Sequence, residues 1–179
     1  SIALPGDLAD VGDALVGSIG LGRQRQLAFT SALGLRPDVL VLDEPTSGLA
    51  ADDTVALIDL LSNLAKRYGK TIIVTIHQPA REEYEKFNLA FIMGFGGEPV
   101  YYGPTGKESY DFFARYQEMS NRGKAGSIDN PRDMFDQLKL REEDFFKTNR
   151  FGTKAEARLA SAQEWRKEFF RPDNPVYAK

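Results

Sequence analysis

Two adjacent carboxylates and one histidine are the residues of this chain whose types and spacing could do chemistry. Asp43 and Glu44 follow the apolar run Val39–Leu42, and His77, the one histidine of the sequence, follows the run Thr71–Ile76. A carboxylate oxygen suits a hard cation such as Mg²⁺, and a second carboxylate can orient or deprotonate an attacking water. An imidazole can donate to the charge that develops on a phosphoryl group. The residue types therefore predict metal-assisted hydrolysis of a nucleotide.

The surrounding sequence predicts the elements that position these groups. Both apolar runs are typical of buried strands in a parallel sheet. The segment between them opens with Asp52 and Asp53, which favour a helix N-terminus, and closes with Gly69, a C-cap signal. Strand, helix and strand in this order predict a right-handed parallel βαβ unit. The carboxyl ends of its strands then lie at one sheet edge, where open α/β sheets bind ligands.

Each of these residues also has a purely structural interpretation. A strand can run into an acidic loop, and a lone histidine at a strand end is more often structural than catalytic. Burying two adjacent carboxylates is nevertheless costly unless a cation or a reaction uses them. The place of His77 at the end of the second strand favours the functional interpretation.

The rest of the chain predicts further helices and a hairpin. The apolar runs 89–93 and 99–102 flank a glycine-based turn. Helices are expected over 23–33, 81–87 and 108–116, from Pro131, and from the Thr153–Glu156 capping box to about Phe170, with an exposed loop over 120–127. Core packing rather than base stacking is the expected role of Tyr110, Phe112 and Phe113. The charged, aromatic C-terminal segment is expected to pack on the domain rather than to lie on a membrane surface.

Composition narrows the function classes. The chain has 179 residues, of which 42% are hydrophobic and 27% charged, enough for one sizeable core. A formal net charge of -3 gives no bulk electrostatic basis for binding nucleic acid. The absence of cysteine excludes a disulfide framework and a thiolate site, and it fits the cytosol. No stretch approaches the roughly 18 consecutive apolar residues of a membrane span.

Several segments resemble one known family. Residues 39–49, Val-Leu-Val-Leu-Asp-Glu-Pro-Thr-Ser-Gly-Leu, are similar to the Walker B motif and D-loop of an ABC ATPase, and Thr75–Pro79 is similar to its switch-histidine segment. The His-Gln-Pro sequence, Tyr101–Pro104 and Asn130–Phe135 resemble the G subfamily of ABC transporters and its bacterial relatives. The resemblance covers residues 17–136.

The resemblance implies a role for each matching site residue. Asp43 would hold Mg²⁺ through water, and Glu44 would be the general base or the carboxylate that orients the water. His77 would contact the γ-phosphate of ATP. The D-loop, which crosses a dimer interface in the family, would be formed by Ser47, Gly48 and Leu49.

The resemblance also implies a fold and a division of the chain. The fold is α/β: a partial P-loop NTPase (ABC ATPase) fold, with parallel-sheet strands, flanking helices and a helical C-terminal tail. Residues 1–136 would be the C-terminal portion of the ATPase domain, and residues 137–179 a helical tail or linker towards a membrane domain. The sequence contains no Gly-x-x-x-x-Gly-Lys-Ser/Thr loop to cradle the α- and β-phosphates. The chain alone is therefore expected to be inactive and to bind ATP weakly or not at all.

The signature motif departs from the family pattern. It falls at residues 19–23, Ile-Gly-Leu-Gly-Arg, where the family usually has Leu-Ser-Gly-Gly-Gln, with Ser18 nearby but out of register. Gly20 lacks the hydroxyl that would donate to a γ-phosphate, whereas Gly22 keeps the family's glycine. Leu21 adds bulk where a phosphate must approach, and Arg23 adds a cation. The predicted nucleotide contacts are Ser18, Gly20, Gly22 and Arg23, together with the D-loop residues Ser47, Gly48 and Leu49. An ordinary glycine cap on a basic helix is the alternative interpretation of the signature segment.

The implied assembly is an ABC transporter that couples ATP hydrolysis at a dimer interface to transport. Its partners would be a second nucleotide-binding domain and a transmembrane domain, at the cytoplasmic face of the membrane and without nucleic acid. A degenerate, non-hydrolysing structural or regulatory half-domain is the alternative, since Ala50 stands where the D-loop usually ends in Asp. A soluble ABC ATPase of DNA repair or translation is disfavoured by the His-Gln-Pro and Tyr-Gly-Pro sequences and by the lack of basic charge.

Overall fold

A computed structural model describes residues 37–119, 127–148 and 151–174, together with Gln24, Leu27, Ala28 and Ser31. The chain divides into two compact units, an N-terminal unit of residues 1–77 and a C-terminal unit of residues 78–179. The four separately described residues are all helical, which agrees with the helix predicted over 23–33 at those positions. The loop predicted over 120–127 lies outside the described residues except at its last position.

The N-terminal unit contains a parallel β–α–β arrangement, as predicted. Strand β1 (Val39–Asp43) is followed by helix α1 (Ala51–Tyr68) and strand β2 (Thr71–Thr75). The two strands pair in parallel with no register shift, from Val39 opposite Thr71 to Asp43 opposite Thr75. Gly69 ends α1 in the left-handed conformation, at φ 61°, which a glycine adopts at no steric cost. The sequence between the strands therefore brings both carboxyl ends to one edge.

Helix α1 covers one face of this two-stranded sheet. Its buried leucines contact the half-buried side chains that alternate along both strands. The cluster consists of Leu57, Leu61 and Leu64 of α1 packed against Leu40, Leu42, Ile72 and Val74. Because a slip of one residue would turn these strand side chains away from the helix, the packing fixes the register that aligns the strand ends.

The prediction that both strands are buried is wrong for their outer face. Val39, Val41 and Ile73 expose 53%, 66% and 52% of their surface. Both strands alternate between exposed and half-buried residues, since within the described part of the N-terminal unit only α1 packs on the sheet. This alternation could not be predicted from the sequence, because apolar residues occupy both faces of each strand.

The C-terminal unit joins a β-hairpin to a set of helices. The hairpin is antiparallel, with an irregularity between Ile92 and Met93, and a short 3₁₀ turn at Phe95–Gly97 connects its strands. The elements in chain order are α2 (Arg81–Tyr84), β3 (Leu89–Met93), β4 (Pro99–Pro104), α3 (Lys107–Met119), α4 (Pro131–Lys147) and α5 (Lys154–Phe169). These bounds agree with the elements predicted from the sequence to within a few residues.

An aromatic cluster forms the core of this unit. Tyr101, Phe113 and Trp165 are at most 1% exposed, and the ring centroids of Phe113 and Trp165 lie 5.1 Å apart. Burial raises the pKa of the Tyr101 hydroxyl, which donates a hydrogen bond of 2.6 Å to the Pro104 carbonyl. The predicted core role of Tyr110, Phe112 and Phe113 is confirmed, since all three are buried.

The C-terminal helix packs on this core, as the sequence indicated. Thr153 and Glu156 form the predicted capping box, with hydrogen bonds of 3.1 and 3.2 Å. An ion pair of 2.6 Å between Arg141 and Glu168 joins α4 to α5. The division of the chain after residue 136 stays a prediction. Among the described residues, no helix is both long enough and apolar enough to cross a membrane.

Candidate functional site at the edge of the parallel strands

The carboxyl ends of β1 and β2 bring the predicted catalytic side chains together. Asp43 is the last residue of β1 and lies opposite Thr75, the last residue of β2. Glu44 follows Asp43 directly, and His77 comes two residues after Thr75. The expectation that Asp43, Glu44 and His77 meet at one edge is therefore met in the fold, while their chemical roles stay predictions.

Glu44 and His77 are in direct contact across this edge. The distance from His77 Nε2 to Glu44 Oε1 is 3.2 Å, short enough for an ion pair when the imidazole is protonated. The His77 side chain is 86% exposed and the Glu44 side chain 47% exposed. Solvent therefore screens the pair, and its contribution to stability is at most about 1 kcal/mol. The contact orients the imidazole towards the carboxylate rather than holding the fold together.

Thr75 also belongs to this site, although nothing in the sequence marked it as a site residue. Its hydroxyl donates a hydrogen bond of 2.5 Å to Asp43 Oδ1 and accepts one of 2.8 Å from the Glu44 backbone N–H. Its place directly after the apolar residues Ile72–Val74 was visible in the sequence. Only the register of the parallel pair, which sets Thr75 opposite Asp43, shows what the hydroxyl touches.

The backbone turns sharply after each strand. Glu44 has φ 44° and Gln78, the residue after His77, has φ 45°, so both non-glycine residues adopt the left-handed conformation. Such residues cost on the order of 1 kcal/mol each and occur often at functional sites. The turn after Glu44 is closed by a hydrogen bond of 3.1 Å from the Ser47 N–H to the Glu44 carbonyl. This turn directs the Glu44 side chain towards the end of β2.

The predicted D-loop residues divide between surface and core. Ser47 and Gly48 are exposed, and Gly48 has φ 74°, a conformation that favours glycine. Leu49 instead packs against the leucine cluster beneath α1. Ala50 then occupies the N-cap position of α1 without a side-chain hydrogen bond to the helix. Of the three predicted D-loop residues, Ser47 and Gly48 are therefore the ones accessible at the surface.

Burial of the two carboxylates, which the sequence suggested, is wrong. Asp43 and Glu44 are both exposed, as is His77. The physical reason is that the described part of the N-terminal unit covers only the α1 face of the sheet and leaves its carboxyl edge open. The side chains at this edge are therefore accessible to solvent.

The Asp43 carboxylate fits a Mg²⁺ ion that keeps most of its water ligands. Magnesium usually keeps several waters and is held by one or two carboxylates together with substrate phosphates. Asp43 offers an exposed carboxylate, one oxygen of which accepts the Thr75 hydrogen bond. Within the described ranges, no cluster of three or more His, Cys, Asp or Glu side chains could hold a metal ion. The predicted signature contacts Ser18, Gly20, Gly22 and Arg23 lie outside the described residues.

The segment Asn130–Phe135 has a structural part in the C-terminal unit. The Asn130 side chain caps α4 by accepting from the Asp133 N–H at 3.2 Å, and Pro131 follows at the first helical position. Arg132 and Phe135 line an open cavity of about 690 Å³ beside Arg81 and Lys139. Ion pairs to Glu85 and Asp136 neutralise these last two cations, so the cavity walls carry mixed charge.

Curated proteins with similar sequences are ABC transporters. Over 130 residues the chain is 37% identical to the ABC multidrug transporter SNQ2 of Candida glabrata, which covers 70% of this chain and 8% of that protein. It is 32% identical over 130 residues to ABC transporter G family member 52 of Oryza sativa, covering 70% of this chain and 9% of that protein. The identity to ABC transporter G family member 5 of Dictyostelium discoideum is 35% over 106 residues, or 57% of this chain and 7% of that protein. No family model matches the chain.

These similarities support an ABC-transporter domain of the G-family type in the matched part of the chain. The matched segment spans between 7% and 9% of the length of these relatives. The small α/β architecture, with its parallel and antiparallel strand pairs, is compatible with part of an ABC ATPase domain.

Proposed function

We propose that this chain supplies the hydrolytic and metal-binding part of the ATPase site in a G-type ABC transporter. The observation that carries the proposal is the meeting of Asp43, Glu44 and His77 at the carboxyl edge of one parallel strand pair, with 3.2 Å between Glu44 Oε1 and His77 Nε2. Similarity to ABC transporters over 70% of the chain supports the nucleotide as substrate. The reaction is hydrolysis of the bond between the β- and γ-phosphates of ATP.

Each residue of the edge has a separate task in this reaction. Glu44 accepts a hydrogen bond from the attacking water, orients it and takes up its proton. His77 donates an imidazole N–H to the γ-phosphate, where negative charge develops. The 3.2 Å contact between these residues keeps the imidazole beside the carboxylate, so that both face the same reacting group.

Asp43 is the residue that would hold the metal. Its exposed carboxylate would accept hydrogen bonds from water molecules bound to Mg²⁺. When bound, Mg²⁺ neutralises charge on the β- and γ-phosphates. The hydrogen bond from Thr75 fixes the direction in which the carboxylate points.

The complete site requires groups that these residues do not provide. A phosphate-binding loop would hold the α- and β-phosphates, and a second nucleotide-binding domain would meet the exposed Ser47–Gly48 turn across a dimer interface. A transmembrane domain would convert hydrolysis into transport, with this chain at the cytoplasmic face of the membrane. The transport role of the relatives is extended to this chain on the strength of the sequence similarity.

A non-hydrolysing regulatory half-domain is the second candidate. One observation favours it: Ala50, at the N-cap of α1, carries no side chain that could bond to the helix or to a partner where the family usually has Asp. The altered signature at Gly20, Leu21 and Arg23 points in the same direction. Against it stands the complete set of Asp43, Glu44 and His77 at one edge.

Magnesium dependence tests the proposal. In the complete transporter, Asp43→Asn is expected to raise the Mg²⁺ concentration for half-maximal phosphate release from ATP by roughly tenfold or more, because a neutral amide holds the metal's waters less tightly. Asp52→Asn, an exposed carboxylate in the first turn of α1, is the matched control and should leave this concentration unchanged. An equal Mg²⁺ requirement in the two variants would argue against a metal role for Asp43.

A further inference from the structure

We propose that Thr75 is a positioning residue of this site, and the inference rests on the proposed ATPase function. Thr75 makes no contact with ATP in this account. Its hydroxyl instead joins the Asp43 carboxylate to the Glu44 backbone, so that the metal-holding and water-orienting side chains keep one relative arrangement.

The hydrogen bonds use the hydroxyl in both of its capacities. A threonine hydroxyl has one hydrogen to donate and lone pairs to accept with. Thr75 Oγ1 donates to Asp43 Oδ1 at 2.5 Å and accepts the Glu44 N–H at 2.8 Å. Hydrogen bonds to a carboxylate are stronger than those between neutral groups. A hydroxyl that accepts a hydrogen bond from a backbone N–H also becomes a better donor. The two bonds therefore support each other.

The Glu44 backbone needs this support because the strand ladder ends before it. Asp43 is the last residue of β1 in register with β2, and Glu44 turns away from the strand at φ 44°. A non-glycine residue keeps this conformation only when its surroundings hold it there. The Thr75 hydroxyl accepts the N–H of this residue, in place of the carbonyl that would accept it in a continued ladder. Loss of the hydroxyl should release the turn and, with it, the direction of the Glu44 side chain.

The same hydroxyl gives the two oxygens of the Asp43 carboxylate different roles. Oδ1 accepts the Thr75 hydrogen, which restricts rotation of the carboxylate, and Oδ2 is the oxygen that would serve the ligand. Because β-branched Thr75 ends a paired strand, its own χ1 freedom is small. The pairing of β1 and β2 thus sets the orientation of the hydroxyl, and the hydroxyl in turn positions Asp43 and Glu44.

Thr75→Val tests the proposal with a nearly isosteric change. Valine keeps the β-branched shape that suits a strand and removes only the hydroxyl. In the complete transporter, kcat for ATP should fall by roughly tenfold or more while KM for ATP changes by less than about twofold, since ATP binding is not touched. Thr75→Ser, which restores the hydroxyl, should recover most of the rate.

Thr71→Val is the matched control. Thr71 lies on the same face of the same strand, at the opposite end of the ladder, where it pairs with Val39. Its replacement makes the same chemical change and should leave kcat as it is in the wild type. A Thr75→Val variant as active as Thr71→Val, in a protein that Glu44→Gln inactivates, would overturn the positioning role and leave the proposed function standing.

A measurement that does not depend on turnover separates failure of the positioning role from failure of the proposed ATPase function. By NMR on the 179-residue chain, the Glu44 amide should exchange with solvent severalfold faster in Thr75→Val than in the wild type, in Thr75→Ser or in Thr71→Val. If the wild-type transporter hydrolyses no ATP, the proposed function fails, and this exchange rate still decides whether Thr75 holds the turn. An unchanged Glu44 exchange rate in Thr75→Val would overturn the positioning role.

Discussion

Glu44→Gln in the complete transporter is expected to lower ATP turnover by about 10²–10⁴-fold while ATP binding persists. Glutamine keeps the size of the side chain and can still approach His77, but its amide cannot accept the proton of the attacking water. Glu44 lies 3.2 Å from His77, the residue that would contact the γ-phosphate, so its carboxylate is placed to act on a water beside that phosphate. The loss should therefore appear in kcat rather than in the affinity for ATP.

Phosphate release and nucleotide binding, measured on the same preparation, check this expectation. Glu82→Gln is a matched control because Glu82 is an exposed carboxylate in the first turn of α2. It should turn over ATP at the wild-type rate. Retained turnover in Glu44→Gln would favour the regulatory half-domain, whereas lost ATP binding would show that Glu44 acts in binding rather than in the chemical step.

Phe113→Ala is expected to lower the free energy of unfolding of the C-terminal unit by about 3–5 kcal/mol. Phe113 is fully buried, and its ring centroid lies 5.2 Å from that of Phe112 and 5.1 Å from that of Trp165. Removing the ring leaves a cavity among rigid aromatic neighbours that cannot collapse to fill it. The change should be among the most destabilising single substitutions in the unit.

Urea unfolding followed by tryptophan fluorescence measures this effect, since Trp165 is the one tryptophan of the chain and borders the cavity. Phe146→Ala makes the same substitution on α4 at a side chain that is 45% exposed, and it should cost less than about 1 kcal/mol. Equal losses in the two variants would contradict the aromatic core as the main source of stability in this unit.

The order and pairing of the elements could be predicted from the sequence because each carried a local signal. The apolar runs on either side of α1 predicted two parallel strands, and the glycines after Met93 predicted the hairpin. The exposure of the outer sheet face could not be predicted. Val39, Val41 and Ile73 are as apolar as the residues that α1 covers, so hydrophobicity alone does not tell the two faces apart.

The two acids and the histidine of the candidate site could be predicted from the sequence, but the residue that positions the acids could not. Asp43, Glu44 and His77 stood out as polar residues at the ends of apolar runs. Thr75 did not, because a threonine within a β-branched run is what strand propensity alone would place there. Its role depends on the pairing of Asp43 with Thr75 and on the left-handed turn at Glu44, and both arise from tertiary structure.

A double-mutant cycle on phosphate release from Mg-ATP tests whether Glu44 and His77 act as one hydrolytic unit. The rates of the wild type, Glu44→Gln, His77→Ala and the double variant are compared in the complete transporter. If Glu44 and His77 act as one unit, the rate of the double variant should lie within about twofold of the rate of the slower single variant, because groups that act as a unit lose activity together. Single losses that multiply in the double variant, or single variants at the wild-type rate, would contradict it.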